Sequence, residues 1–141
     1  MTTTDTTESI EYSDRYERGK ATLASMNNDP TGMASWRDVD PVVGPKIDRL
    51  LGEYCFGDVW SGDGLDKRTR RIITLTSLAT QGRTIQLEGH IKMALEQGFT
   101  RAEILEVFLH LLPYMGFPTV LTAAGVADAV FKGIDAAGEG E

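Results

Sequence analysis

Apolar residues recur at intervals of three and four along almost the whole chain, and this helical spacing is the feature that most restricts the fold. The first stretch of this kind has its apolar or small residues at Tyr12, Tyr16, Gly19, Leu23 and Met26. Strand-like alternation is almost absent, and no repeat occurs at a solenoid period. The pattern therefore predicts an all-α fold, a compact bundle of about six helices.

Proline and glycine mark the limits of the first two helices. Asn27-Asn28-Asp29-Pro30 is a stop signal after the first helix, and a loop is predicted to run from there to about Asp40. The second helix has Pro45 in its first turn, where a missing backbone donor is tolerated. Gly57 and the segment 61–64 are expected to break this helix.

Capping residues predict the next three helices closely. Asp66 has the type and position of an N-cap for the third helix, which should end near Gly82. The fourth helix is predicted over residues 84–97, with Gly98 as its C-terminal cap. Thr100-Arg101-Ala102-Glu103 has the spacing of a capping box, so the fifth helix should begin there.

The C-terminal part is predicted to be one further helix. Pro113 should kink or end the fifth helix, because proline lacks a backbone donor and clashes with the preceding turn. Gly116-Phe117-Pro118 then opens a last helix to about Lys132. We expect a single domain over all 141 residues, with disordered tails at residues 1–9 and 136–141.

Composition excludes several functional classes. Apolar residues make up 41% of the chain and charged residues 25%, which is typical of a globular protein. The net charge of −7 gives no overall positive field, so we expect no nucleic-acid partner. We expect no membrane association and a cytoplasmic location, because the N-terminus is polar and acidic and no long uninterrupted apolar stretch occurs. The single cysteine, Cys55, fits a reducing compartment.

Two helices bring chemically useful side chains onto one face. Arg83, Gln86 and His90 are three and four residues apart at the start of the fourth helix, so a cation and an imidazole can converge there. The alternative is a solvated Arg83 and a histidine that is either on the surface or satisfied in the interior. On the fifth helix, His110 and Tyr114 follow Glu106 at intervals of four, and a solvated face is the alternative there.

Metal, thiol and nucleotide chemistry receive little support. The two histidines lack the compact multi-ligand spacing of a zinc or iron site, so no metal is predicted. Cys55 stands among apolar residues, where a small buried residue is the usual explanation. No glycine-rich loop has phosphate-binding spacing.

Six short motifs follow one another in a characteristic order. They are Phe56-Gly57-Asp58-Val59-Trp60-Ser61, Gly64-Leu65-Asp66, Arg68-Thr69-Arg70, Gln86-Leu87-x-x-His90, Gly98-Phe99-Thr100-Arg101-Ala102-Glu103-Ile104 and Tyr114-x-Gly116-Phe117-Pro118. In order and spacing they resemble the carboxymuconolactone decarboxylase family, within the larger group of alkylhydroperoxidase D-like proteins. The resemblance extends from about Arg15 to Phe131.

This resemblance implies an all-helical subunit that forms a homo-oligomer, a trimer or hexamer. Peroxidase members of the group carry Cys-x-x-Cys-x-x-x-His, and the two cysteines would fall at Arg83 and Gln86. Both sulfurs are missing here, so the resemblance implies a decarboxylase rather than a thiol peroxidase. The implied reaction converts γ-carboxymuconolactone into 3-oxoadipate enol-lactone and CO₂ in aromatic catabolism, without a metal or organic cofactor.

Site roles follow from the same resemblance. Arg83 would bind a carboxylate or an oxyanion, and His90 would serve as oxyanion donor or general acid. His110 is a further catalytic candidate. The residues expected to contact the small carboxylated substrate are Trp60, Gln86, Tyr114 and Arg71.

Several residues depart from the family pattern. Gly62-Asp63 stands where relatives commonly have Arg-Pro, and Arg71 stands where many have glutamate. Pro113 beside Tyr114 is a further departure. These differences keep two alternatives open. One is a specialised biosynthetic enzyme that decarboxylates, cyclises or isomerises another carboxylated or enolisable substrate, and the other is a non-catalytic helical oligomer.

Overall fold

The computed structural model describes residues 11–32 and 34–139. The regular secondary structure of these residues is helical and includes no strand, so the all-α prediction is confirmed. The elements are α1 (Asp14–Ser25), α2 (Ala34–Arg37), α3 (Val43–Leu50), a π-helix (Leu51–Trp60), α4 (Lys67–Gln81), α5 (Thr84–Gln97), α6 (Arg101–His110) and α7 (Leu112–Glu139). The chain forms two compact units, divided after Asp63. The single-domain assignment stays a prediction.

In the first unit, α1 packs against the π-helix through glycine. A methyl group on Gly19 would stand 2.1 Å from the carbonyl oxygen of Gly52, and one on Gly57 would stand 2.3 Å from that of Arg15. Only glycine allows two backbones to approach so closely. The prediction that Gly57 breaks the second helix is therefore wrong: the chain stays helical to Trp60, and Gly57 serves the packing of α1.

A buried carboxylate also joins α1 to α3. Asp48 is fully buried and accepts hydrogen bonds from the hydroxyls of Tyr12 at 2.9 Å and Tyr16 at 3.0 Å. Burial, together with the bond to Asp48, raises the pKa of Tyr16. These bonds satisfy the oxygens of Asp48 inside the unit, which is what a buried carboxylate requires. The cluster therefore fixes α3 against the start of α1.

The second unit consists of α4 to α7, and its helix ends agree with the predicted caps. The Asp66 side chain accepts from the backbone N–H of Thr69, and Gly82 ends α4 in the left-handed conformation with φ 67°. Gly98 ends α5 in the same way, with φ 106°. At the start of α6 the capping box is complete, with both its Thr100 and Glu103 bonds present. These four boundaries follow directly from local sequence.

Proline and glycine separate α6 from α7. As predicted, the helix before Pro113 ends: α6 stops at His110, and the chain then breaks again at Gly116, where φ is 81° and ψ is 172°. The last helix continues to Glu139, so a disordered tail over 136–139 is incorrect. Alanine-rich sequence is a good helix former, which explains the extension. The other predicted tail, residues 1–9, lies outside the described residues, as do 140 and 141.

The four helices of this unit enclose one apolar core. It consists of Leu75, Ala79, Leu87, Ile91, Ala94, Phe99, Ile104, Phe108, Leu111, Ala123, Ala127 and Val130. By length and composition α7 also reaches the level of a membrane-spanning helix, yet only 22% of its most apolar window is buried in the unit. Much of this apolar helix therefore remains uncovered in a single subunit.

Candidate active site

Helix α5 presents the three predicted site residues in order along its length. Arg83 directly precedes the first helical residue and is exposed, and Gln86 is also exposed. His90 lies further along and is partly buried. Arg83 and His90 are seven residues apart, which corresponds to about 10 Å along the helix axis. The face therefore runs from a solvent-exposed cation to a sheltered imidazole.

His90 is held by a buried arginine from the neighbouring helix. Arg71 of α4 has 0% exposure, and its Nη1 lies 2.7 Å from Nδ1 of His90. Its Nε donates to Oε1 of Gln97 at 2.9 Å, and Nη1 also lies 3.8 Å from Sδ of Met93. Arg71 is predicted to bind substrate directly, but this burial directs its guanidinium to His90 and Gln97 instead.

The surroundings of His90 favour the neutral imidazole. Burial, with a further contribution from the positive charge of Arg71, lowers the pKa of His90 from 6.5 to about 4. The ring is therefore uncharged near pH 7. A neutral ring does not supply the proton of an imidazolium, so this environment favours the oxyanion-donor role over the general-acid role.

The other histidine belongs to a different surface. A groove of about 590 Å³ between α4 and α6 is lined by His110 and Glu106 together with Arg68 and Phe99, among others. His90 and Arg83 are not part of this lining. The rings of His110 and Tyr114 are 5.7 Å apart, and Tyr114 is 75% exposed. This arrangement fits the solvated-face alternative, and it does not bring the two histidines into one pocket.

The remaining predicted site residue, Trp60, belongs to the first unit, as does Cys55. Trp60 is 6% exposed and packs on Phe56 with ring centroids 5.7 Å apart, which leaves little of the indole accessible. Cys55 is partly buried, and its sulfur is in no disulfide. Within residues 11–32 and 34–139, no group of three or more histidine, cysteine, aspartate or glutamate side chains is arranged to hold a metal ion.

Sequence reasoning did not identify Gln97 and Met93 as neighbours of the site. It also missed that Arg71 and His90 touch, because the two residues lie 19 positions apart on different helices. One signal was present in the sequence. Arg71 stands four residues before Leu75 and eight before Ala79, so a charged residue continues the buried stripe of α4. A charge in phase with a core stripe indicates a buried partner.

Comparison with known proteins shows which family the sequence matches. The sequence model of the "Carboxymuconolactone decarboxylase family" matches residues 45–129. The chain is 34% identical to a 4-carboxymuconolactone decarboxylase of Acinetobacter baylyi over 64% of this chain and 67% of that protein. It is also 34% identical to a nitrosuccinic acid decarboxylase of Metarhizium robertsii, over 60% and 62% of the two chains. An uncharacterised 15.0 kDa protein of Paracoccus denitrificans is 30% identical over 62% and 66%.

Proposed function

Because the chain belongs to the carboxymuconolactone decarboxylase family, we propose that it is a carboxy-lyase that releases CO₂ from a small carboxylated substrate. The proposed substrate is γ-carboxymuconolactone, and the proposed product is 3-oxoadipate enol-lactone. The observation that carries this proposal is the sheltered, neutral His90 on the same helix as the exposed cation Arg83. The names of two relatives, both decarboxylases, support the reaction type.

The chemistry of this substrate explains why few protein groups are needed. In γ-carboxymuconolactone a double bond conjugates the carbon that bears the departing carboxylate with the lactone carbonyl. When the bond to the carboxylate breaks, its electron pair moves into this conjugated system and CO₂ leaves. Negative charge develops on the carbonyl oxygen of the lactone, and a proton from water then adds to the carbon next to this carbonyl. The protein must hold the spectator carboxylate and stabilise the developing oxyanion.

His90 and Arg83 fit these two tasks. A neutral imidazole donates a hydrogen bond to an oxyanion from its N–H group without carrying a positive charge, which is the pattern of a pKa-lowered histidine used as an electrophile. The guanidinium of Arg83 binds a carboxylate through two parallel hydrogen bonds. Gln86 lies between them on the same face and is positioned for an additional polar contact with substrate. The spacing of about 10 Å suits the two ends of a small dicarboxylate lactone.

Nitrosuccinic acid is the second candidate substrate, because one decarboxylase relative is named for it. Its nitro group replaces the lactone carbonyl as the electron sink, so the same pair of tasks arises. The departing carboxylate leaves its electron pair on a nitronate, and the second carboxylate remains available for a cation. The two substrates therefore test one reaction type with two electron sinks.

We also propose a cytoplasmic homo-oligomer, a trimer or hexamer. Several large apolar side chains of the second unit are more than half exposed in one subunit: Ile85, Leu109, Phe117 and Leu121. Large apolar side chains that are exposed in one subunit are commonly covered at subunit interfaces. Together with the weakly buried α7, these side chains support burial by further copies of the chain.

A single assay tests the proposed reaction. Purified protein is mixed either with γ-carboxymuconolactone generated in situ or with nitrosuccinic acid. The loss of substrate absorbance and the release of CO₂ are then measured. We expect catalysed CO₂ release from one of them, unchanged after exhaustive treatment with EDTA. Activity that is lost with EDTA and restored by one metal would contradict the metal-free mechanism. Absence of CO₂ release from both substrates would favour the non-catalytic oligomer.

A further inference from the structure

Three side chains of α5 lie along the guanidinium of Arg71. His90, Met93 and Gln97 are spaced by three and four residues, so they share the face of α5 that meets α4. Arg71 contacts Nδ1 of His90 with Nη1 and Oε1 of Gln97 with Nε. The guanidinium is therefore fixed at two of its nitrogens, by His90 and Gln97, which are about two turns apart on α5.

The contact with His90 determines which ring nitrogen carries the proton. A guanidinium has five N–H donors and no acceptor, so the nitrogen that faces it must offer a lone pair. Nδ1 of His90 is that nitrogen, at 2.7 Å. In a neutral imidazole the single proton then resides on Nε2. A carboxylate in the place of Arg71 would have the opposite effect, since it accepts a hydrogen bond and would favour a proton on Nδ1.

We propose that Arg71 is a positioning residue, oriented by Gln97, that locks His90 in the neutral Nε2–H tautomer and so makes Nε2 the hydrogen-bond donor to substrate. The last step rests on the proposed decarboxylation. The tautomer lock itself does not, because it follows from the contacts of Arg71.

Gln97 contributes by limiting the rotation of the guanidinium. Its Oε1 accepts from Nε of Arg71 at 2.9 Å, and Nε is the nitrogen nearest the alkyl part of the side chain. With Nε fixed, the plane of the guanidinium is fixed, and Nη1 stays directed at Nδ1. The loss of this acceptor would leave a buried donor to find another partner. Gln97 is therefore expected to influence His90 without touching it.

Nitrogen NMR of the full-length protein tests the lock directly. The chain has two histidines, so a ¹⁵N-labelled sample gives two imidazole spin systems, and exposed His110 serves as the internal reference. We expect the His90 ring to show one protonated nitrogen, Nε2, and an unprotonated Nδ1 from pH 6 to pH 8. A protonated Nδ1 in the wild-type protein would overturn the proposal. This measurement does not depend on whether any variant folds.

Variants separate positioning from structure. Arg71→Met removes the guanidinium donors at similar side-chain volume and should give a mixture of His90 tautomers. We expect kcat to fall by about tenfold or more, but by less than the roughly hundredfold loss typical of removing a direct oxyanion donor. Arg71→Lys retains a donor and should restore most of the single tautomer, while Gln97→Leu should give a smaller change in the same direction. Arg101→Met, which removes an arginine from an exposed ion pair with Asp135, is the matched control and should change neither spectrum nor rate.

The outcomes distinguish this proposal from the proposed function. An unchanged Nε2–H tautomer and unchanged kcat in folded Arg71→Met would overturn the lock while leaving decarboxylation intact. A locked tautomer in the wild-type protein, released in Arg71→Met, with no CO₂ from either substrate would support the lock and contradict the decarboxylase. Thermal melting of each sample shows whether the variant is folded under the conditions of the spectrum.

Discussion

The guanidinium of Arg71 donates to Nδ1 of His90 across 2.7 Å, between two adjacent helices of the second unit. Arg71 is fully buried and His90 partly so, which makes this one of the few places in the unit where a charge lies inside the packed region. A cation in this position stabilises an imidazole that keeps a lone pair and opposes one that gains a proton. The pH response of the protein follows from that asymmetry.

Stability is expected to decrease as the pH falls from about 6.5 to about 4. His90 has a pKa of about 4 in the folded chain, below the ordinary 6.5, so between these values the unfolded chain binds more protons than the folded one. Unfolding is then favoured at lower pH, by at most about 3 kcal/mol for a shift of this size. Urea titrations of wild-type protein and His90→Gln over this window measure the difference. If the free energy of unfolding changes with pH in the same way in the wild-type protein and in the variant, the lowered pKa of His90 is contradicted.

Loss of Arg83 is expected to weaken substrate binding more than turnover. If its guanidinium holds a spectator carboxylate equally in the ground and transition states, Arg83→Ala raises KM about tenfold or more and changes kcat little. Steady-state kinetics at pH 7 give both constants. Arg101→Ala, which removes an arginine elsewhere in the same unit, is the control for the change in net charge. A large decrease in kcat with unchanged KM would assign Arg83 to the developing charge instead.

Gly57 is expected to be irreplaceable in the first unit. A methyl group there would stand 2.3 Å from the carbonyl oxygen of Arg15, which is a backbone atom and cannot rotate away. Gly57→Ala should lower the free energy of unfolding by about 2 kcal/mol or more. Gly125→Ala in α7 is the matched control, since a methyl group meets nothing within 4 Å, and it should be neutral or stabilise by about 0.5 kcal/mol. Equal melting temperatures for the two variants would refute the close packing of α1.

Assembly is predicted from the uncovered apolar residues of the second unit. Static light scattering at micromolar concentration should give a mass of three or six times 15.4 kDa. Phe117→Lys places a charge on a side chain that is 64% exposed in one subunit, so it should shift the population toward smaller species if that surface is an interface. A wild-type monomer at this concentration would contradict the proposed oligomer.

Local sequence was sufficient for helix boundaries but not for the contacts between helices. Asp66, Gly82, Gly98 and Thr100 each satisfy a backbone group within a few residues, so their effect can be predicted from the neighbouring sequence. The role of Gly57 depends on a carbonyl of α1, which lies 42 positions earlier in the chain at Arg15. Its effect on packing is therefore invisible to a periodicity argument.

The candidate site shows the same division. The sequence placed Arg83, Gln86 and His90 on one helix because their spacing is helical. It did not show that Arg71 faces His90, since that contact depends on how α4 packs on α5. The charge state of His90 follows from this packing, and with it the choice between general acid and oxyanion donor. Chemistry that depends on burial thus required the structure.

The turnover number of folded His90→Gln tests whether His90 takes part in the reaction. Wild-type protein and the variant are compared at pH 7 with the substrate that yields CO₂, and melting temperature is recorded on the same preparations. We predict a decrease in kcat on the order of a hundredfold, with a smaller change in KM, because the lost hydrogen bond matters most as negative charge develops. A folded variant with nearly wild-type kcat would contradict the assignment of His90 to the reaction.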